Sequence, residues 1–96
     1  MKLPTPLSFD WDKGNLDKNL QKHKVCFKEV EEIFFNKPLK IFPDRNHSIR
    51  EKRFAALGVT NRKRKLTIVF TLRGEKIRVI SARDQSRKER SEYEKK

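Results

Sequence analysis

Two β-branched runs joined by a three-residue link constrain the fold more than any other feature of the sequence. Leu66–Leu72 and Lys76–Ser81 are rich in Val, Ile and Thr, and Arg73-Gly74-Glu75 separates them. Strands of this composition with a glycine in the link are typical of an antiparallel β-hairpin. Alternate residues of each run are apolar, so one face of the hairpin is expected to be buried, although Ile80 breaks the alternation.

The segments around the hairpin predict three helices and further strands. Apolar residues recur at helical spacing from Phe27 to Phe35, and Leu16 and Leu20 lie four residues apart after an Asp12 N-cap. Ser86–Glu89 has the spacing of a capping box. We predict an α+β domain with two N-terminal helices, a small, mostly antiparallel sheet of three to four strands and a C-terminal helix. The predicted helices cover 12–22, 27–35 and the segment after 86, and the predicted strands cover 39–42, 53–60, 66–72 and 76–81.

The size of the chain indicates one domain with one small core. It has 96 residues, of which 34% are hydrophobic and 40% charged, and we expect residues 1–8 to form a loosely ordered tail. No apolar run is long enough to cross a bilayer, and the N-terminus lacks the apolar stretch of a signal peptide. The single cysteine, Cys26, excludes an internal disulfide, and Cys26 with the two histidines makes too few ligands for an ordinary zinc site. We predict a cytoplasmic protein that needs no cofactor, metal or membrane.

The net positive charge lies in the second part of the chain. The first 36 residues contain six lysines, three aspartates and three glutamates, whose charges cancel. The other residues carry the whole net charge of +12, and all ten arginines lie between Arg45 and Arg90. The guanidinium group suits bidentate contact with phosphate, so nucleic acid is the expected partner. The alternative is a solvated basic surface without a ligand.

The residue types needed for several kinds of catalysis are scattered or missing. The seven acidic residues beyond Asn36 are dispersed, which disfavours a two-metal nuclease. The three glycines do not form a phosphate-binding loop, and Cys26 lies in an apolar helical segment that favours a structural role. RNA cleavage remains feasible, because the RNA 2′-hydroxyl is itself the nucleophile and the protein supplies only a base, an acid and cations.

A loop histidine and nearby charged residues provide these groups. His47 lies in a segment of loop composition, and imidazole suits proton transfer near neutral pH. Glu51 and Arg53 are two residues apart and would share a face at the start of a strand. Arg78 is charged within an apolar strand and must reach a partner, a groove or water. A surface histidine, an exposed ion pair and a partnered arginine are the structural alternatives.

Further cations extend the expected RNA-binding surface. Arg62-Lys63-Arg64-Lys65 places four cations between two strands, a pattern suited to contact with a phosphate backbone. Arg83, Arg87 and Arg90 lie in or near the last helix, and Tyr93 offers a ring for stacking or proton transfer. Solvated cations and a tyrosine that docks the helix are the alternatives.

Several short blocks occur in a characteristic order along the chain. They are Phe9-Asp10-Trp11-Asp12; Asn19-Leu20 and Lys22-His23 with Val25 and Phe27; His47-Ser48-Ile49-Arg50-Glu51-Lys52-Arg53-Phe54 leading to Gly58; Ile77-Arg78-Val79-Ile80-Ser81-Ala82-Arg83; and Glu89-Arg90 with Tyr93-Glu94. In these blocks the chain from Phe9 to Glu94 resembles the BrnT family of type II toxins. Lys24 and Cys26 depart from the family pattern, which affects local capping of the helices and not the site.

The resemblance implies a RelE-like fold, with helices packed on a small antiparallel sheet. It implies metal-independent RNA cleavage that arrests translation, and it leaves open whether the ribosome is required. The implied partners are RNA, a BrnA-like ribbon-helix-helix antitoxin and, through the toxin–antitoxin complex, operator DNA. The family motif points to His47, Glu51, Arg53, Arg78 and Arg83, with Arg53 and Arg78 stabilising phosphate charge and His47 or Glu51 transferring protons.

Two other functions fit the same charge distribution. A non-catalytic RNA-binding or regulatory module would use the cationic sheet only to hold a phosphate backbone. A basic structural protein would bind an acidic partner and have little affinity for RNA at physiological salt.

Overall fold

Helices precede and follow a sheet along the chain. The computed structural model describes residues 2–44 and 51–95, which contain α1 (Lys13–His23), α2 (Phe27–Phe35), β1 (Lys40–Pro43), β2 (Arg53–Val59), β3 (Lys65–Arg73), β4 (Lys76–Asp84) and α3 (Arg87–Glu94). The strands form one antiparallel sheet in the order β1-β2-β3-β4. These elements confirm the predicted α+β fold. None of the described helices is long and apolar enough to span a membrane.

β3 and β4 form the predicted hairpin. Gly74 in the turn has a φ of +60°, which glycine adopts without a steric penalty. The register shifts between Val69, which lies opposite Ser81, and Phe70, which lies opposite Val79. Ile80 is therefore the additional residue of a β-bulge, and the bulge explains the break in alternation at this position.

The core lies between α2 and one face of the sheet. Phe34 contacts Phe70 edge to face, with ring centroids 5.3 Å apart. Gly58 permits the close packing of β2 on α2, because a Cβ atom there would lie 2.9 Å from Ile33 Cβ. Phe27, expected on the buried face of α2, is 42% exposed. The buried core consists of Val25, Val30, Ile33, Phe34, Ala56, Leu66, Ile68, Phe70, Ile77, Val79 and Ala82.

α1 covers the open edge of β4. Asp12 caps the helix as predicted, accepting a hydrogen bond from the Asn15 backbone N–H at 2.7 Å. Asn15 Nδ2 donates to the Val79 carbonyl, and Asn19 Oδ1 accepts from the Ala82 N–H at 3.2 Å. Asn19 is consequently 3% exposed, whereas Leu20, expected on an apolar helix face, is 51% exposed. The helix is oriented by pairing with strand backbone groups, which helical periodicity does not detect.

The segment before α1 also attaches to β4. The Asp10 N–H donates to the Ile77 carbonyl, and the Ile77 N–H donates to the Ser8 carbonyl, both at 2.9 Å. Leu3 and Leu7 pack against the core, although they lie in the segment expected to be a loose tail. This attachment brings Asp10 and Asp12 to the same end of β4 as Arg78.

α3 packs on the sheet face opposite α2. Its predicted capping box is confirmed: Ser86 Oγ accepts from the Glu89 N–H, and the Glu89 carboxylate accepts from the Ser86 N–H. The Tyr93 hydroxyl donates to the Pro38 carbonyl at 2.6 Å. Among the described helices, α3 alone packs on this face, and it covers only part of it.

Candidate active site

A depression of about 380 Å³ lies on the part of the sheet that α3 leaves uncovered. Ala55, Val69 and Ser81 lie opposite one another on β2, β3 and β4 and form its central row. The depression brings together Arg53 and Arg83, two of the residues predicted to act in catalysis. Its lining comprises Asp44, Arg53, Ala55, Thr67, Val69, Ile80, Ser81, Arg83 and Glu89.

Arg83 is held in the depression by Glu89. Its two terminal nitrogens donate to the carboxylate at 2.6 and 2.9 Å. The same carboxylate accepts from Thr67 Oγ1 at 3.0 Å and from the Ser86 N–H at 2.8 Å. The hydrogen bonds from Arg83 are the largest cause that lowers the pKa of Glu89 to about 2. Glu89 is therefore ionised at neutral pH and positions the guanidinium rather than donating a proton.

Arg53 lies at the other side of the depression, where β2 begins. Its Nε is 3.6 Å from the Glu51 carboxylate, and its carbonyl accepts from the Asp44 N–H at 2.8 Å. Asp44 and Glu51 thus both contact this arginine. His47, predicted to transfer protons, lies outside the described residues, so the structure does not place it.

Arg78 is on the same face but does not line the depression. Arg53, Thr71 and Arg78 lie opposite one another across β2, β3 and β4. Arg78 is paired with Asp12 and lies 3.6 Å from the Asp10 carboxylate. The hydrogen bond from the Asn15 backbone, followed by that from Arg78, lowers the pKa of Asp12. The partner that an arginine in an apolar strand requires is thus supplied by the segment before α1.

The run Arg62–Lys65 is divided by the fold. Arg64 donates to the Asp84 carboxylate at 2.7 Å and to the carbonyls of His23 and Lys24 at 3.1 and 2.8 Å. Lys65 pairs with Glu94, whereas Arg62 and Lys63 are exposed. We therefore retain Arg62 and Lys63 in the proposed RNA-binding surface and assign Arg64 and Lys65 to joining elements.

We expect Arg64→Ala to lower the free energy of unfolding by about 2 kcal/mol, because it leaves Asp84 and two helix-terminal carbonyls without their donor. Arg62→Ala, in the same turn, is the matched control and should change stability by less than about 0.5 kcal/mol. Urea unfolding of both variants measures the difference. Equal stability of the two variants would contradict a joining role for Arg64.

Two arginines and one tyrosine of α3 belong to the predicted RNA-binding surface, and they differ in exposure. Arg87 and Arg90 are exposed and remain in the proposed RNA-binding surface. Tyr93 is 5% exposed and its hydroxyl is bonded to the Pro38 carbonyl, so its ring docks the helix and is not presented to a base. We therefore remove Tyr93 from the proposed surface.

Sequence reasoning missed three residues that contact the predicted arginines or their partners: Glu89, Thr67 and Asp10. The capping-box spacing revealed the contact of Glu89 with the helix N-terminus, but not its contact with an arginine on a neighbouring strand. Thr67 interrupts an apolar run, which was a signal for a hydroxyl with a buried partner. In residues 2–44 and 51–95 no three His, Cys, Asp or Glu side chains are grouped as metal ligands.

Replacing Glu89 with glutamine should lower stability in a pH-dependent manner. The Glu89 pKa falls from 4.5 to about 2 on folding, so its stabilisation is complete above pH 4.5 and is lost as pH falls through about 2. We expect Glu89→Gln to cost about 1–2 kcal/mol at neutral pH, allowing for partial exposure, and progressively less in acid. Denaturant unfolding across this pH range measures it, with Glu75→Gln in the exposed β3–β4 turn as the control. A cost independent of pH would show that the ion pair with Arg83 is not its source.

Comparison with known proteins identifies the family. A profile described as the ribonuclease toxin BrnT of type II toxin–antitoxin systems matches residues 11–89. The chain belongs to the BrnT family. Its fold is similar to that of the Brucella abortus ribonuclease toxin BrnT in its crystal structure, with a TM-score of 0.64 and 25% sequence identity, covering 84% of this chain and 99% of that chain. A search of curated proteins gave no match.

Family membership confirms the resemblance carried by the sequence blocks. It makes this chain a member of the ribonuclease toxins of type II toxin–antitoxin systems. The matched residues include all four strands, both arginines of the depression and Glu89, so the candidate site lies wholly within the family domain.

Proposed function

We propose that this toxin cleaves RNA without a metal ion and thereby arrests translation in the bacterial cytoplasm. In the proposed reaction the 2′-hydroxyl oxygen attacks the adjacent phosphorus and the bond to the 5′-oxygen breaks. The products are a 2′,3′-cyclic phosphate and a 5′-hydroxyl end. The observation that supports this proposal most is the convergence of Arg53 and Arg83 on one depression, since cations placed at a reacting phosphate stabilise its developing charge.

The proposed roles follow the positions of the groups. Arg53 and Arg83 bind the scissile phosphate from opposite sides of the depression. Of His47 and Glu51, one removes the proton of the 2′-hydroxyl and the other donates a proton to the 5′-oxygen as it leaves. Glu51 is within 3.6 Å of Arg53, so a base at this position adjoins the bound phosphate. Arg78 is paired with Asp12, and we propose that it holds the segment before α1 against β4. We also propose that it adds positive potential beside Arg53, which lies in the same row across the sheet.

Cleavage in excess EDTA, followed by mapping of fragment ends, tests the proposed chemistry. Purified protein is incubated with total bacterial RNA beside a His47→Ala variant. Fragments ending in 2′,3′-cyclic phosphate are expected from the wild type only. Cleavage that appears only when Mg²⁺ is restored would contradict metal independence. Cleavage confined to RNA on translating ribosomes would establish a requirement for the ribosome.

We also propose a BrnA-like ribbon-helix-helix antitoxin as the partner. The net charge of +12 favours an acidic segment or a helix that covers Arg53, Arg78 and Arg83. Contact with operator DNA is then made mainly by the antitoxin in the complex. Co-expression of the neighbouring gene should relieve growth arrest, and a complex with these arginines fully exposed to solvent would contradict the proposed mode of inhibition.

A further inference from the structure

The floor of the depression is apolar, which its proposed role in binding phosphate does not explain. Ala55, Val69 and Ile80 line it, and each is only half buried. The neighbours of Val69 on β3, Ile68 and Phe70, point to the opposite face and are fully buried in the core. α2 covers the core face and α3 forms only one wall of the depression. The floor is therefore an apolar surface that no described helix covers.

The β-bulge contributes to this floor. Because Ile80 is an additional residue opposite Val69 and Phe70, Ile80 and Ser81 both line the depression although they are consecutive. A regular strand would send consecutive side chains to opposite faces. Bulges are frequent beside active sites, where they redirect a side chain. Here the bulge adds a branched aliphatic side chain to the solvent-facing side of the sheet.

Arginines lie on both sides of this apolar row. Along the strands, the row Ala55, Val69 and Ser81 is preceded by the row of Arg53 and followed by the row of Arg83. Two residues separate successive rows, so the two arginine rows are about 13 Å apart. An apolar patch between cations matches a nucleotide, which combines a flat base with a charged phosphate.

We propose that the floor binds one nucleobase of the RNA, with the side chains of Val69 and Ile80 against the face of the base. This subsite rests on the proposed function, because Arg53 and Arg83 on either side of the floor then bind the scissile phosphate of the same nucleotide. The depression of about 380 Å³ falls within the range of small-molecule sites. Contact with the face of a base depends little on its identity, so the subsite requires a base and not a particular sequence.

Binding to oligonucleotides with and without bases tests the subsite. The probes are a short single-stranded 2′-O-methyl oligonucleotide and a fully abasic 2′-O-methyl oligonucleotide with the same number of phosphates. Ile80→Thr and Val69→Thr retain β-branching and remove apolar surface. Leu20→Ser removes an exposed apolar side chain from α1 and is the matched control. Fluorescence anisotropy at fixed salt measures the affinities, and thermal unfolding identifies any variant that does not fold.

Each threonine variant should bind the base-containing probe about threefold to tenfold more weakly than wild type and the abasic probe equally well. Leu20→Ser should match wild type on both probes. Equal losses on both probes, or no loss on either, would overturn the subsite. If one variant fails to fold, the other carries the test. Base-dependent binding by a protein that leaves RNA intact, both free and on translating ribosomes, would retain the subsite and refute the proposed cleavage.

Discussion

Arg83→Ala should reduce the rate of RNA cleavage by about 10²–10³-fold while weakening RNA affinity only a few-fold. The guanidinium lies on the wall of the depression, where Glu89 fixes both of its terminal nitrogens. A cation held in advance of the reaction contributes most when charge develops on the phosphate. Single-turnover cleavage in EDTA measures the rate, and anisotropy with a 2′-O-methyl oligonucleotide measures the affinity.

Arg87→Ala is the matched control, because Arg87 is an exposed arginine on α3 that does not line the depression. It should lower affinity slightly and leave the rate at saturating RNA unchanged. Arg83→Lys keeps the charge without the bidentate geometry and should recover only part of the activity. Similar losses of affinity in Arg83→Ala and Arg87→Ala, with no cleavage by the wild type, would favour the non-catalytic RNA-binding module instead.

Gly58→Ala should lower the free energy of unfolding by about 2–3 kcal/mol. The added Cβ would lie 2.9 Å from Ile33 Cβ and 3.2 Å from the Ile33 carbonyl oxygen, so β2 and α2 must separate in the centre of the core. For a domain of this size the expected fall in melting temperature is on the order of 10 °C or more. Thermal and urea unfolding measure the effect.

Gly14→Ala provides the comparison within the same chain. A Cβ at this position in α1 has only Asp12 Oδ1 nearby, at 3.5 Å, which is an ordinary contact. Alanine favours the helix over glycine, so this variant should be neutral or more stable by about 0.5–1 kcal/mol. A Gly58→Ala protein as stable as Gly14→Ala would show that α2 does not pack on β2 at this distance.

The elements that follow from local sequence were predicted correctly. The hairpin depends on β-branched strands around a glycine turn, and α3 depends on the Ser86–Glu89 capping box, all within a few residues. α2 was predicted from the three- and four-residue spacing of its apolar residues. Such features are set by interactions between near neighbours in the chain, so one sequence suffices to find them.

The site depends on pairings between distant residues, and these were predicted only in part. The charge pattern and the family motif pointed to Arg53 and Arg83, which the fold brings to one depression. Neither could show that Arg64 joins α1 to β4, because its partners are up to 41 residues away in the chain. The partners of Arg78 are also distant, since Asp12 is 66 residues from it.

The misplacement of Leu20 has a similar cause. Helical periodicity assigns apolar residues to the inner face of a helix, but α1 borders the edge of a strand. Asn15 and Asn19 satisfy the backbone groups of β4 there, and a buried polar contact takes the place of apolar packing. The need for such partners arises only once the strand order is known.

Chemical-shift mapping by NMR would locate the RNA site most directly. The protein, of 11.5 kDa, is titrated with an uncleavable 2′-O-methyl oligonucleotide while its backbone amides are followed. We predict that the largest shift changes lie at Val69, Ser81 and Arg83, around the depression. Changes centred instead on the outer surfaces of α1 and α2, near Leu20 and Phe35, would contradict the assignment of this depression as the active site.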